Sequence, residues 1–429
     1  MALRDPAVAA AVADAHRSEW AFVLAATVRV TADLGVAEEC AQTAFARALT
    51  AWAVNGVPSR PGAWLTTTAR NLAIDHLRRE SALQRRLPLL VEPEDAPTFV
   101  WGRGHQIEDD RLRLIFTCCH PALARASQVA LTLRLVCGLS TAEVARAFLV
   151  SEPTMAARIT RAKKKITQAR IPYRTPPVDE LPQRVTAVLE VIHLVFTTGH
   201  TSPGGDVLVQ VDLLDEAQTL ARMLRELLPG DAGVAGLLAL ILLTDARRAA
   251  RVADGELVLL EDQDRTLWDR AAIEEGGALA AEALSADPPS VYALMAAIAW
   301  EHSAAPSFET TDWPAIVAHY DALAQRWDSP VVSLNRAAAI GFAEGPQAGL
   351  DALAPLTEDP RLATYPYLAV ARGEFSHRLG DDTAARARFE EALACTDNAV
   401  ERSHLERRLA ELDRREPTDA RQRIVGGSQ

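Results

Sequence analysis

The chain is short of the residues that disulfides, membranes and covalent catalysis need. Only five of its 429 residues are cysteine (Cys40, Cys118, Cys119, Cys137 and Cys395), odd in number and scattered. This fits reduced thiols in a cytoplasmic protein better than a disulfide framework. No run of about 18 uncharged apolar residues is present, so no membrane span is expected. The start, Met1-Ala-Leu-Arg-Asp-Pro6, lacks the apolar core of a signal peptide. No glycine-rich phosphate loop and no catalytic-triad signature is found, so neither an enzyme nor a bound cofactor is expected. Strand-type alternation is nearly missing too. Apart from Glu256-Leu-Val-Leu-Leu260 after Asp254-Gly255, a candidate short hairpin, the apolar residues recur with helical spacing, and Ala, Leu, Arg and Glu dominate. The expected fold is all-α.

Apolar content of 49% is ample for packed cores, and the length suggests two to four domains. The net charge of −12 argues against nucleic acid, but it is an average over opposites. Residues 1–175 hold 23 Lys and Arg against 16 Asp and Glu, a net of +7; the remainder holds 22 against 41, a net of −19. A basic part can displace counterions from phosphates, whereas an acidic part is repelled by DNA. Two breaks divide the chain. Residues 88–107 carry Pro88, Pro93, Pro97, Gly102 and Gly104 with Glu92, Glu94 and Asp95, and read as a linker. Ile171–Pro182 has four prolines. The expected parts are 5–87, 108–171 and 178–415. In the third, Ile316, Leu350 and Ala385 align at spacings of 34 and 35, with Tyr320, Ala354 and Phe389 four residues on. A period near 34 implies stacked helical hairpins, an α-solenoid of tetratricopeptide-like repeats.

Residues 140–165 read as a helix-turn-helix. Thr141–Phe148 is the bracing helix, capped by Ser140 or Thr141 with Glu143 in its first turn. The second helix starts after Ser151, with Pro153 where a missing N–H costs nothing. Val144, Phe148, Met155 and Ile159 are the expected shared core. Thr154, Ala156, Ala157 and Arg158 then face outward, followed by Arg161, Lys163 and Lys164. Arg158 is the first candidate for a base contact and the lysines for phosphates. Leu149 stands where such turns usually carry Gly, which implies a different turn or strain of about 1 kcal/mol. From these residues alone, an ordinary amphipathic helix pair with a solvated basic face also fits.

Upstream, Ala37–Trp52 is amphipathic, and residues 64–79 form a second helix in which Leu65, Ala69, Leu72, Ile74 and Leu77 can pack inward. Trp64, Arg70, Asn71, Arg78 and Arg79 can line one edge, a combination suited to stacking on an unpaired base while holding phosphates. Taken alone, Trp64 is more often a core residue.

Three features together, Glu-Glu-Cys-Ala-Gln-x2-Phe-x-Arg-Ala at 38–48, the Trp-Leu-x3-Ala-Arg-Asn-Leu-Ala-Ile-Asp-His-Leu-Arg-Arg run at 64–79 and the later helix-turn-helix, resemble bacterial RNA polymerase sigma factors. The likeness is to the extracytoplasmic-function group, which has regions 2 and 4 only, and covers about residues 5–171. The acidic third part is similar to the C-terminal extension of one subgroup, as are Phe116-Thr-Cys-Cys-His-Pro121 and Leu259-Leu-Glu-Asp-Gln-Asp-Arg265. The resemblance implies that Glu38, Glu39, Gln42, Phe45 and Arg47 dock on the clamp helices of the largest polymerase subunit. It implies that Trp64, Arg70, Asn71, Asp75, Arg78, Arg79 and Gln84 read and open the −10 element. The helix-turn-helix residues would bind the −35 element, and the linker acids would thread near the RNA path.

Other tempting groups fit structural roles better. Cys118-Cys-His120 lacks structural-zinc spacing, so no metal is expected. His193 to His200 with the following Gly/Pro loop has no nucleophile and base pairing. Glu261, Asp262, Asp264 and Asp269 miss Ca²⁺-loop spacing and read as a loop that is solvated or salt-bridged with Arg265 and Arg270. The sequence reading is a sigma factor whose acidic solenoid regulates it, through an intramolecular contact or through a peptide or polymerase subunit in a concave groove. A DNA-binding regulator independent of polymerase and a tetratricopeptide adaptor remain the alternatives.

Overall fold

The computed structural model describes residues 6–84, 110–148, 150–201, 204–205, 208–253 and 255–425. Eighteen α-helices supply almost all the regular structure among them, with four two-residue strands in two small ladders. The linker expected at 88–107, with its acids, and Leu149 of the helix-turn-helix lie outside the described residues. The chain divides into two compact units, Met1–Val195 and Phe196–Gln429.

In the first unit α1 (Pro6–Thr31), α2 (Leu34–Asn55) and α3 (Pro61–Gln84) pack on one another. Ala32, in the left-handed region at φ 55°, turns the chain between α1 and α2. Asp33 then caps α2, its carboxylate accepting from the amides of Gly35 (2.7 Å) and Val36 (2.9 Å). Trp20, Leu24, Trp52 and Leu65 are fully enclosed among these helices. Next come α4 (Asp110–Cys118), α5 (Arg125–Leu131), a π-helical turn over Thr132–Val136, α6 (Thr141–Ala147) and α7 (Glu152–Gln168). α8 (Leu181–His200) runs through the boundary between the units.

The helical parts expected at 5–87 and 108–171 share this one unit, and specific contacts join them. The Trp20 indole donates to the Leu135 carbonyl at 3.1 Å. The Tyr173 hydroxyl bonds the carbonyls of Ala25 and Asp110 at 3.2 and 3.1 Å. Gly138 is required twice at this seam: its φ is 79°, and a Cβ there would stand 2.9 Å from the Trp20 ring.

The second unit begins with the strand β1 (Gly204–Gly205), α9 (Val211–Leu227) and α10 (Ala232–Asp245). Residues 234–243 of α10 are all buried, as a helix apolar on every side must be. Gly236 lets it approach α12 closely; a Cβ there would lie 2.7 Å from the backbone nitrogen of Ala293. The expected hairpin is present as β2 (Val252–Ala253) against β3 (Glu256–Leu257). There follow α11 (Arg270–Leu284), α12 (Val291–Ala304), α13 (Trp313–Ala324), α14 (Pro330–Glu344), α15 (Pro346–Leu353), α16 (Pro366–Arg378), α17 (Asp382–Cys395), the strand β4 (Asp397–Asn398) and α18 (Ala399–Val425).

Apart from the close packing of α10 on α12, these helices pack chiefly on their neighbours in sequence, so the core is a series of clusters rather than one centre. The first joins Leu294, Ile316 and Val332, the next Leu334, Leu353 and Phe375, the last Ala385, Phe389 and Leu405. The 34-residue period is visible here: Ile316, Leu350 and Ala385 belong one to each successive cluster. The array also returns to its start. β1 pairs in parallel with β4, β3 packs on α18, and Arg407 pairs with Glu256. An open concave groove, expected from a simple solenoid, is therefore modified by a closing contact between its two ends.

Candidate nucleic-acid interface

α3 sorts its residues cleanly by face. Leu65, Ala69 and Ala73 are fully buried, while Leu72 and Leu77 are half-buried beside them. The expectation that Ile74 packs inward is overturned: it is 36% exposed. At 3.6 residues per turn the buried stripe 65, 69, 73 excludes position 74, which falls between Arg70 and Arg78 on the outer face. Arg70, Asn71, Asp75, Arg78 and Arg79 are all exposed on that face. Their mutual restraints are light, with Arg78 3.9 Å from Asp75 and the Arg79 Nε donating to the Asp75 carbonyl at 3.2 Å. Trp64 is half-buried, edge-on to Trp52 with ring centroids 5.7 Å apart. It is anchored to α2 at one edge rather than standing free. The Gln84 side chain lies outside the described residues.

The helix-turn-helix forms as its caps dictate. Ser140 and Glu143 make a reciprocal capping box, the Glu143 amide donating to Ser140 Oγ at 3.2 Å and the Ser140 amide to Glu143 Oε2 at 2.6 Å. Ser151 caps α7 by accepting from the Thr154 amide. Val144, Met155 and Ile159 form the buried seam, joined by Ala145, Ala162 and Ile166; Phe148 is half-buried at its edge. Thr154, Ala156, Ala157, Arg161 and Lys164 are exposed, together with Thr160 and Lys165. Arg158 and Lys163 flank the buried stripe on opposite sides. Arg158 sits over the Phe148 ring at 5.4 Å, still at the edge of the open face. Lys163 turns the other way.

That other side is α2. Glu39, Gln42 and Arg47 are exposed on it, but Glu38 and Phe45 are each only 6% exposed. Phe45 packs against His16 and Trp20 with centroids at 5.0 and 5.7 Å. Burial there, aided by nearby Arg134, pushes the His16 pKa below its ordinary value. The Glu38 carboxylate binds Arg134 at 2.5 Å and Lys163 directly, and accepts from Gln42 Nε2 at 3.0 Å. Two residues that the sequence assigned to separate surfaces, Glu38 and Lys163, thus satisfy each other in this arrangement. Arg134 has no motif signal; only its place in the turn before α6 brings it to Glu38.

The remaining sequence candidates have structural partners. Cys118 and Cys119 are buried; burial pushes the Cys118 thiol well up and the Cys119 thiol to about 11, so neither is a ready thiolate. His120 Nδ1 accepts from the Ala122 amide at 3.1 Å. Asp264 caps the 3₁₀ turn Arg265–Leu267, Asp269 caps α11 through the Ala272 amide, and Glu261 pairs with Arg378 at 2.7 Å. The expected pairing of these acids with Arg265 is not made. Arg265 donates instead to the carbonyls of His302 and Ala305 at 3.0 and 2.7 Å.

Residues 17–83 match the family model for sigma-70 region 2, and residues 113–166 that for sigma-70 region 4. A probable ECF RNA polymerase sigma factor SigI of Mycobacterium tuberculosis is 27% identical over 180 residues, 41% of this chain and 60% of that protein. The chain belongs to the extracytoplasmic-function sigma factors of the sigma-70 type. An uncharacterized protein of Rhizobium meliloti is 42% identical over 395 residues, covering 91% of this chain and 93% of its own length, so the likeness extends through the C-terminal part. Within that part, residues 184–284 match a family of unknown function (DUF6596). Region 2 of this sigma factor is carried by α1–α3 and region 4 by α4–α7. Sigma factor families bind core RNA polymerase and promoter DNA and are regulators rather than enzymes. No helix among the described residues is long and apolar enough to cross a membrane.

Proposed function

We propose that this sigma factor directs core polymerase to a promoter subset, with α3 opening the −10 element and α7 reading the −35 element. The observation that carries the reading is the pair of outward cationic faces, one on each region. Arg70, Asn71, Arg78 and Arg79 serve the first, with Ile74 offering an apolar contact among them. Thr154, Ala156, Ala157, Arg158, Arg161 and Lys164 serve the second, Arg161 and Lys164 holding phosphates. Glu39, Gln42 and Arg47 are the ready part of the polymerase-docking face. Glu38 joins them when Arg134 and Lys163 release it, and that release frees Lys163 for the −35 phosphates. Polymerase docking and the parting of regions 2 and 4 are then one event.

The C-terminal array is tetratricopeptide-like in period and regulates the factor. Binding of purified core polymerase by the full chain, followed by transcription from a promoter selected with the holoenzyme, tests the reading. Tight duplex binding by the isolated chain with no association with core enzyme would replace it with a polymerase-independent regulator. A chain ending at Val195, the limit of the first unit, tests regulation: promoter output must differ from that of the full chain.

A further inference from the structure

Among the described residues, three arginines of the second unit gather with no acid in ion-pair contact with them. Arg247 and Arg251 follow α10, Arg265 lies in the turn before α11, and Trp268 stands beside them, 3% exposed. The Arg265 Cζ lies 4.3 Å from the centre of the Trp268 ring and the Arg247 Cζ 5.9 Å from it. Arg251 Nη1 donates to the His200 carbonyl at 2.6 Å and lies 3.1 Å from its Nδ1. Burial holds the Arg247 guanidinium down at about 10, with Arg251 and Arg265 as its charged neighbours. Burial and the same arginines hold His302 at about 3, so its ring is neutral near pH 7.

Four polar atoms in this cluster are shielded from solvent yet have no hydrogen-bond partner among the described residues: Arg247 Nε, Arg265 Nη2, Trp268 Nε1 and His302 Nδ1. Buried donors are ordinarily satisfied, and an unanswered buried charge is costlier still. Of the acids that act on these arginines, exposed Glu309 favours the charge of Arg265 without pairing with it, and Asp245 and Glu401, near Arg251, are engaged elsewhere. Asp245 is bound by Arg248 at 2.6 Å, and Glu401 accepts from the Tyr367 hydroxyl and from Thr396 Oγ1.

We propose that Arg247, Arg251, Arg265, Trp268 and His302 form a binding site for the oxyanion group, phosphate or carboxylate, of a small molecule. The guanidinium forks match either group, and the indole N–H and His302 ring add neutral donors. Shielded donors suit a small ligand rather than the backbone of promoter DNA. The site belongs to the second unit and both cationic helices to the first, so the proposal stands whether or not the promoter reading does. Five of the residues around it, His200, Arg247, Arg251, Arg265 and Trp268, fall inside the segment that matches the family of unknown function.

Thermal unfolding and calorimetric titration of the full chain test it, with sodium phosphate and sodium acetate each compared against sodium chloride at equal ionic strength. A rise in melting temperature with phosphate, acetate or both, absent with chloride, is the expected result, and the stronger of the two names the group bound. Arg247→Met removes the unanswered charge. It should unfold at a higher temperature than wild type without ligand, and lose about tenfold or more in affinity. Trp268→Phe keeps the ring, removes one donor and should weaken binding several-fold; it decides the matter if Arg247→Met fails to fold. No oxyanion-specific shift in the wild type, or wild-type affinity in Trp268→Phe, overturns the proposal.

Discussion

The two cationic helices of the first unit are alike in sequence and differ in what surrounds them. α3 turns its arginines to solvent on one continuous arc, restrained among the described residues by Asp75. α7 divides its cations: Arg161, Lys164 and Lys165 face outward, Arg158 is held at the edge over Phe148, and Lys163 is spent on Glu38. A count of positive residues therefore overstates the second helix and not the first. The difference arises because Lys163 reaches the one buried acid of α2, Glu38. Charge on a helix becomes an interface only on the face that packing leaves open.

The strongest way to break this comparison is to remove both open faces at once. Arg70→Ala, Arg78→Ala, Arg158→Ala and Arg161→Ala together should cut transcription by the holoenzyme about a thousandfold, at about 1 kcal/mol per lost contact. Three of the four side chains are exposed, so the melting temperature should hardly move. Transcription left intact would end the promoter reading.

Next in size is the buried acid. Glu38→Gln leaves Arg134 and Lys163 facing each other with only a neutral amide between. Breaking such a pair by removing one partner should destabilise the first unit by about 2–4 kcal/mol, read as a lowered denaturant midpoint of its unfolding transition. Lys163→Met added to Glu38→Gln should recover part of the loss, since one stranded cation is gone. Lys163→Met alone should tighten polymerase binding, because Glu38 is then held by Arg134 only. If that variant binds polymerase no better than wild type, docking does not require the seam to open.

The caps of the helix-turn-helix and most of the buried faces, Ile74 of α3 excepted, were readable in advance because they are local. Ser151 before Pro153, and the stripe Met155 and Ile159, announce α7 through short-range chemistry alone. The motif around Glu38 led to an expectation of docking, but its burial was not readable there. Its burial depends on Arg134, nearly a hundred residues away in a turn with no pattern of its own. The same holds in the second unit. The 34-residue period showed the stacking of clusters, yet the return of α18 to β3 and the gathering of Arg247, Arg251 and Arg265 are long-range facts. Pairing of Arg265 with the acids flanking it was one of two expectations for that loop; Asp264 and Asp269 cap helices, and the guanidinium turns to Trp268 and two carbonyls.

The salt dependence of promoter binding distinguishes the two kinds of cation on α7. Arg161→Ala removes a phosphate contact and should reduce the slope of log affinity against log salt by about 1. Lys163→Met, in the free protein with the seam closed, should leave the slope unchanged. Equal slopes for the two variants would mean that Lys163 already faces DNA and that the ion pair with Glu38 is not kept in solution.

The smallest expected effect lies within α3 and concerns one residue's register. Ala73 is fully buried against the neighbouring helices, so Ala73→Leu forces extra volume into a closed seam and should cost about 1–3 kcal/mol. Ile74, one residue on, is 36% exposed between Arg70 and Arg78, so Ile74→Gln should change stability by no more than about 0.5 kcal/mol. Any loss from Ile74→Gln should appear instead in opening of the −10 region, measured by reactivity of its unpaired thymines in the polymerase complex. A large stability loss from Ile74→Gln with Ala73→Leu tolerated would rotate α3 by about 100°. Arg70 and Arg78 would then flank the core, and the cationic arc on which the region 2 assignment of DNA contacts depends would point the wrong way.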